Sequence, residues 1–142
     1  MAQLRNQQMY VMAVDQSTTG SAAFIVDHDG QVVSSASRDI SQHYPQPGWV
    51  SHDPEEIFQT VLTVCREAMA GAGIGPRRLV AIGIANQRET TVVWDRATGL
   101  PVAPAIVWQC RRTTPLCEEL KQQGVEPLVR ERTGLLIDAY FS

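Results

Sequence analysis

The sequence has no long run of positive charge. Its longest basic stretches are the pairs Arg77-Arg78 and Arg111-Arg112, in a chain of formal net charge -3. A nucleic-acid footprint needs clustered Lys and Arg, so nucleic acid is not an expected partner. Long apolar runs are missing too. The stretch from Met9 to Val14 stops at Asp15, too short for a signal segment or a membrane span, so the expectation is no membrane and a cytoplasmic location. Cysteine is scarce: Cys65, Cys110 and Cys117 fall in no metal-ligand spacing, and an odd number suits a reducing compartment better than a disulfide framework. His28, His43 and His52 are scattered through turns and loops, which argues against a histidine metal site or base. No Gly-x-x-x-x-Gly-Lys-Ser/Thr occurs, and the P-loop class is excluded as a motif match. Repeats and low-complexity tracts are absent as well.

What is present is an ordinary globular composition, 44% hydrophobic and 19% charged, which argues against wholesale disorder. The 142 residues suffice for one domain with a hydrophobic core and are too few for two. Tyr10 to Val14 reads as a strand, the polar loop Gln16 to Ser21 follows, and Ala22 to Val26 reads as a second strand. His28-Asp29-Gly30 is a tight-turn signal and Gln31 to Ser35 returns as a third strand, giving an antiparallel meander. After an irregular segment with Pro45, Pro47 and Gly48, a helix starts with Asp53 as N-cap, Pro54 at the first helical position and Glu56 three residues after the cap. Ile57, Phe58, Val61, Leu62, Cys65, Ala68 and Met69 give it one apolar face, and Gly71 and Gly73 end it. Leu79 to Ala85 reads as a buried strand and Thr90 to Trp94 as another. Ala105 to Trp108 is a further apolar run, and Thr114 to Thr133 reads as two short helices broken near Gly124 and Pro127. The fold class expected is mixed α/β.

Three stretches could carry chemistry. Asp15, at the end of a strand, is placed to hold a hydrated Mg²⁺, with hydroxyls and backbone N–H groups of Thr18 and Thr19 donating to phosphate oxygens; the alternative is a hairpin whose Ser and Thr stabilise a turn. Asn86-Gln87-Arg88-Glu89-Thr90-Thr91 can turn a cation and a carboxylate toward one ligand, Arg88 donating to one hydroxyl and Glu89 accepting from its neighbour, as a polyol requires. A salt-bridged surface turn is the competing reading. Trp108, ahead of Gln109-Cys110-Arg111-Arg112, offers an apolar wall for a carbon chain, or a core indole before a helix.

Five stretches, in order, resemble the FGGY carbohydrate-kinase family, and within it the members that act on glycerol. They are Asp15-Gln16-x-Thr18-Thr19, Tyr44-Pro45-x-Pro47-Gly48-Trp49-Val50-x-His52-Asp53-Pro54, Asn86 to Thr91, Ala105-Ile106-Val107-Trp108-Gln109 and Thr133-Gly134-Leu135. The resemblance implies a ribonuclease H-like, actin-like ATPase domain of the sugar-kinase superfamily, incomplete here. Residues 1–8 are then a flexible tail, and 9–142 the front part of the N-terminal kinase domain, with the C-terminal kinase domain missing. It also implies ATP and Mg²⁺ as cofactors, glycerol as substrate and sn-glycerol 3-phosphate as product. By similarity Asp15 helps hold Mg²⁺, and Thr18, Thr19 and Gly20 sit at the transferred phosphate. Arg88, Glu89 and Tyr140 hydrogen-bond the glycerol hydroxyls while Trp108 packs on its carbons. The catalytic base is expected beyond residue 142. A homo-oligomer of the full-length protein is left open by the resemblance.

The chain departs from the family at Ser17, where Gly is usual, at Gly20, where Ser is usual, at Ala22, where Arg is usual, and at Ala139, where Pro is usual. Losing a cation at position 22 weakens nucleotide binding or slows transfer. The chain alone is expected to be inactive, because the resemblance puts the catalytic base, most adenine contacts and the second domain beyond residue 142. Alternatives to a glycerol kinase are a non-catalytic remnant that binds a polyol or a partner, and a kinase for another small polyol or sugar. An exposed apolar flank, and with it self-association, is expected of the isolated chain.

Overall fold

The computed structural model describes residues 8–141. The tail expected over residues 1–8 lies outside them except for Gln8, whose carbonyl accepts from Arg78 Nε at 2.7 Å. The chain partitions into two compact units. One is built from residues up to Ser41 together with Glu55–Gln87, the other from Gln42–Pro54 together with residues from Arg88 onward.

The first unit is a four-stranded sheet with one helix. Strands β1 (Tyr10–Gln16), β2 (Gly20–Val26) and β3 (Val32–Asp39) form the expected antiparallel meander, and β5 (Leu79–Asn86) returns parallel to β1. The order across the sheet is β3-β2-β1-β5. Alternation decides the faces: Met12 and Val14 on β1, with Ala23 and Ile25 on β2, are buried together with Val64 and Ala68 of helix α1 (Pro54–Gly71). Each large apolar side chain so buried contributes about 1.5–3 kcal/mol. The helix stops by a glycine device: Gly73 takes φ +65, its N–H bonds Ala70 O at 3.0 Å, and Ile74 N–H bonds Met69 O at 3.1 Å, as in a Schellman ending. Glu56 Oε1 accepts from both the N–H and the hydroxyl of Ser41, each at 2.9 Å, which ties the start of the helix to the end of the meander.

Two expectations change here. Phe58, assigned to the apolar helix face, is exposed. Strand β5 is not buried: Val80, Ile82 and Ile84 are 61%, 57% and 71% exposed, so β5 presents the expected apolar flank at the edge of the described sheet. An apolar run of strand length signals burial on both faces only when layers cover both faces, and no such cover lies among the described residues of this unit.

The second unit is built largely from loops. Strands β4 (Ser51–His52) and β6 (Ala105–Ile106) pair antiparallel. The segment from Thr90 to Trp94, expected as a strand, makes only the isolated bridges Thr91 to Ile106 and Trp94 to Pro101. Helices α2 (Thr114–Gln122) and α3 (Glu126–Thr133) follow. Their break falls at Gly124, whereas Pro127 sits in the first turn of α3, where a missing N–H costs nothing. Val50, Val107 and Cys110 form the buried cluster, with Trp49 and Trp108 packed against it. His52 is fully buried and pairs through Nε2 with Gln42 Oε1 at 2.7 Å.

Candidate active site

In the first unit the turn between β1 and β2 carries the anion-binding candidates. The alternation that buries Met12, Val14 and Gln16 puts Asp15 on the opposite face, exposed. Its carboxylate enters no hydrogen bond or ion pair among the described residues, which leaves it open to an external cation. Ser17 closes the turn, its N–H and its hydroxyl both donating to Gly20 O at 2.8 and 3.1 Å. Thr18 and Thr19 are left at the tip. Asp15, Ser17, Thr19, Gly20 and Ala22 line a shallow cleft of about 160 Å³; Thr18 is not among its lining residues.

Gly20 has a steric reason to be glycine. A Cβ there would stand 2.5 Å from Arg38 O and 3.2 Å from Asp39 Cα, both backbone atoms of the paired strand β3. The departure at Ala22 also has a spatial counterpart. Ala22 borders both this cleft and a second one of about 230 Å³ with Phe24 and Ser35 to Ser37, so a longer side chain has room there. Ser21 Oγ, on the buried face, has no hydrogen-bond partner among the described residues.

In the second unit the chain begins its polar run at Arg88. Glu89 has φ +51, and among the described residues it is the one non-glycine residue with positive φ. Such a conformation costs of order 1–3 kcal/mol and persists only where surrounding structure enforces it. Glu89 Oε2 and Thr90 Oγ1 are both shielded from solvent and both lack a partner among the described residues. A shielded acceptor and hydroxyl left open are what a hydroxylated ligand would satisfy. Arg88 is exposed, and neither it nor Glu89 enters an ion pair among the described residues, which removes the salt-bridged turn as an explanation of this pair.

Trp108 and Tyr140 come together across the same unit, ring centroids 5.6 Å apart and inclined at 65°. Tyr140 in turn meets Phe141 edge-on at 5.0 Å. Two arginines that the sequence marks only as a basic pair after Trp108 hold these segments. Arg112 lies over the Trp49 ring at 4.3 Å, and donates to Cys110 Sγ at 2.9 Å, Ser51 Oγ at 2.6 Å and Val50 O at 3.3 Å. Burial pushes the Cys110 thiol up, but hydrogen bonds from Val50 and Arg112 and the guanidinium charge outweigh it and leave the thiol below its ordinary pKa. Arg111 forks onto Asp138, Nη1 to Oδ1 at 2.8 Å and Nη2 to Oδ2 at 3.3 Å. Asp138 Oδ1 also accepts the Tyr140 N–H at 2.8 Å. The Arg111 hydrogen bond, followed by that N–H, holds the Asp138 carboxyl below its usual range. The available signal for this turn was an Asp two residues ahead of Tyr140, the spacing of a side-chain-closed turn.

The sites expected from sequence thus fall into two local groups. Asp15, Thr19 and Gly20 share one cleft in the first unit, and Thr18 belongs to the same β1–β2 turn without lining that cleft. Trp108 and Tyr140 are in contact in the second, where Arg88 and Glu89 also reside.

Comparison with known proteins bears on these groups. Residues 10–142 match the model of the FGGY family of carbohydrate kinases, N-terminal domain. The chain is 56% identical over 133 residues to glycerol kinase 2 of Thermotoga maritima, and 58% identical over 133 residues to glycerol kinase of Carboxydothermus hydrogenoformans. Each alignment covers 94% of this chain and 27% of the relative, so the chain spans about a quarter of the length of these relatives. Among solved structures, glycerol kinase of Plasmodium falciparum with ADP superposes with a TM-score of 0.86 at 31% identity, over 95% of this chain and 27% of that one. Gluconate kinase of Lactobacillus acidophilus superposes with a TM-score of 0.84 at 19% identity, a likeness of fold alone.

Proposed function

The chain belongs to the FGGY family of carbohydrate kinases, and on that premise we propose that its residues serve the ATP-dependent phosphorylation of glycerol to sn-glycerol 3-phosphate. They do so as the front part of the N-terminal kinase domain, in a protein whose C-terminal kinase domain completes the enzyme. The observation that carries the reading is Glu89: a strained backbone holding a shielded, unpartnered carboxylate oxygen beside an unpaired Arg88. The 55–58% identity to glycerol kinases supports glycerol over other polyols.

Arg88 donates to one glycerol hydroxyl and Glu89 accepts from its neighbour, which fixes the orientation of the polyol. Tyr140 adds a hydrogen bond, and the Trp108 indole, held against Tyr140, walls the carbon chain. Thr18, Thr19 and Gly20 hold the transferred phosphate through hydroxyl and backbone N–H donors. Mg²⁺ would be held through water by Asp15, whose exposed and unpaired carboxylate suits a hydrated cation, and bound there it neutralises phosphate charge. In such a transfer, positioning and charge neutralisation supply most of the rate. The role of general base is assigned to no residue of this chain. The cytoplasm, where ATP and glycerol meet, is the proposed location.

A polyol panel on the full-length gene product tests the reading. Glycerol should give the highest kcat/KM among glycerol, erythritol, xylulose and gluconate, and Glu89→Ala should abolish the preference. Equal or higher efficiency with another polyol or sugar would assign the pocket to that substrate. Glycerol binding without turnover would make the protein a non-catalytic remnant.

A further inference from the structure

Two of the proposed glycerol contacts, Trp108 and Tyr140, stand on separate stretches of chain, and one ion pair joins those stretches. Asp138 closes its own turn: Oδ1 takes the Tyr140 N–H at 2.8 Å and its carbonyl takes the Phe141 N–H at 3.1 Å. The carboxylate cannot rotate freely, because both its oxygens are engaged by the Arg111 fork, a planar two-point contact that sets orientation as well as distance. Arg111 is itself fixed at both ends of its residue. Its N–H bonds Gly48 O at 2.8 Å, and its carbonyl accepts Thr114 N–H at 3.1 Å. It lies three residues after Trp108.

We propose that Asp138, oriented by Arg111, is a positioning residue for polyol recognition: it fixes the Tyr140 backbone so that the phenol meets the Trp108 edge and faces the ligand. The inference rests on the glycerol reading and assigns a role to residues outside the pocket itself. The side chains of Arg111 and Asp138 are 49% and 37% exposed, and an ion pair so exposed adds little to folding. A part in geometry rather than stability is what so fully engaged a carboxylate can supply. Without it the Tyr140 N–H loses the acceptor that sets its turn, and the phenol is no longer held at the Trp108 edge.

The test uses the full-length gene product as wild type, Asp138→Ala, Asp138→Asn, Arg111→Met and Arg111→Lys, with KM measured separately for glycerol and ATP. Asp138→Ala and Arg111→Met should raise the glycerol KM about fivefold to tenfold, the effect of losing one orienting hydrogen bond. The ATP KM should stay within about twofold and the melting temperature within a few degrees. Arg111→Lys should recover part of the loss relative to Arg111→Met. A glycerol KM unchanged in all four variants, or glycerol and ATP KM values rising together, overturns the proposal while leaving the glycerol reading intact. A wild type with no glycerol turnover overturns both. If Asp138→Ala does not fold, Arg111→Met decides, since it leaves the Asp138 turn in place; an unchanged glycerol KM in it overturns the proposal.

Discussion

Replacing Gly20 by alanine tests whether the β1–β2 turn is set by the close approach of β2 to β3. The new Cβ would stand 2.5 Å from Arg38 O, and because that atom is backbone, the strands must part by roughly 1 Å to restore ordinary contact. Parting them disturbs the Gly20–Asp39 pairing and the Ile40 N–H bond to Thr19 O at 3.0 Å. Overpacking costs about 1–3 kcal/mol and the weakened bond about 1 kcal/mol, so a loss of about 2–4 kcal/mol is expected. Gly75→Ala is the control, since nothing lies within 4 Å of a Cβ there and φ is -100; it should change stability by less than about 1 kcal/mol, in the stabilising direction. Urea unfolding of the full-length gene product gives the difference, as a lowered midpoint of the transition that includes this unit. Amide exchange at Ile40 locates it. Gly20→Ala within about 0.5 kcal/mol of the parent, with Ile40 still protected, would refute the steric account.

Four further outcomes are expected. Glu89→Gly should stabilise the fold by about 1 kcal/mol, by releasing the positive φ, while abolishing glycerol turnover; a destabilised variant in thermal melts would count against strain at this site. Ala22→Arg, entering the clefts beside Ala22, should lower the KM for ATP about fivefold through a charge-assisted contact, and an unchanged or higher KM speaks against a phosphate role for that position. Arg112→Met should cost about 2–4 kcal/mol in urea unfolding, since Ser51 Oγ, Cys110 Sγ and Val50 O each lose the guanidinium bond and Trp49 its cation; a loss below about 0.5 kcal/mol would contradict the clamp. Because the Asp138 pKa is depressed, its stabilising contribution is complete above the ordinary carboxylate range and disappears only as pH falls through the lowered value. Carboxyl NMR titration should therefore place its midpoint below that of a free Asp and move it up in Arg111→Met.

Much of the first unit was legible because its signals are local. Alternating apolar residues bounded by the Asp29-Gly30 turn define the meander, and the Asp53-Pro54 start with the Gly71 and Gly73 stop defines α1. Burial of β5 was not legible, since an apolar run reports what a strand is built to face rather than what covers it. The stretch from Thr90 to Trp94 has strand composition, yet Thr91 and Trp94 find only single bridging partners; pairing is a long-range property that composition does not encode. For the site, Asp15, Arg88, Glu89, Trp108 and Tyr140 were all named from sequence, but the strain at Glu89, the Trp108–Tyr140 contact and the arginine clamps were not. Each depends on residues distant in the chain meeting in space, as Arg112 and Trp49 do, and no periodicity announces such a meeting.

The role proposed for this chain's residues is to bind and orient glycerol for transfer of the terminal phosphate of ATP. A single-turnover reaction of the full-length gene product with γ-labelled ATP and glycerol tests it most directly. The account predicts that label passes to sn-glycerol 3-phosphate only when glycerol is present, and that Glu89→Ala stops the transfer. Label that remains on ATP, or that is released as phosphate at the same rate without glycerol, would contradict it.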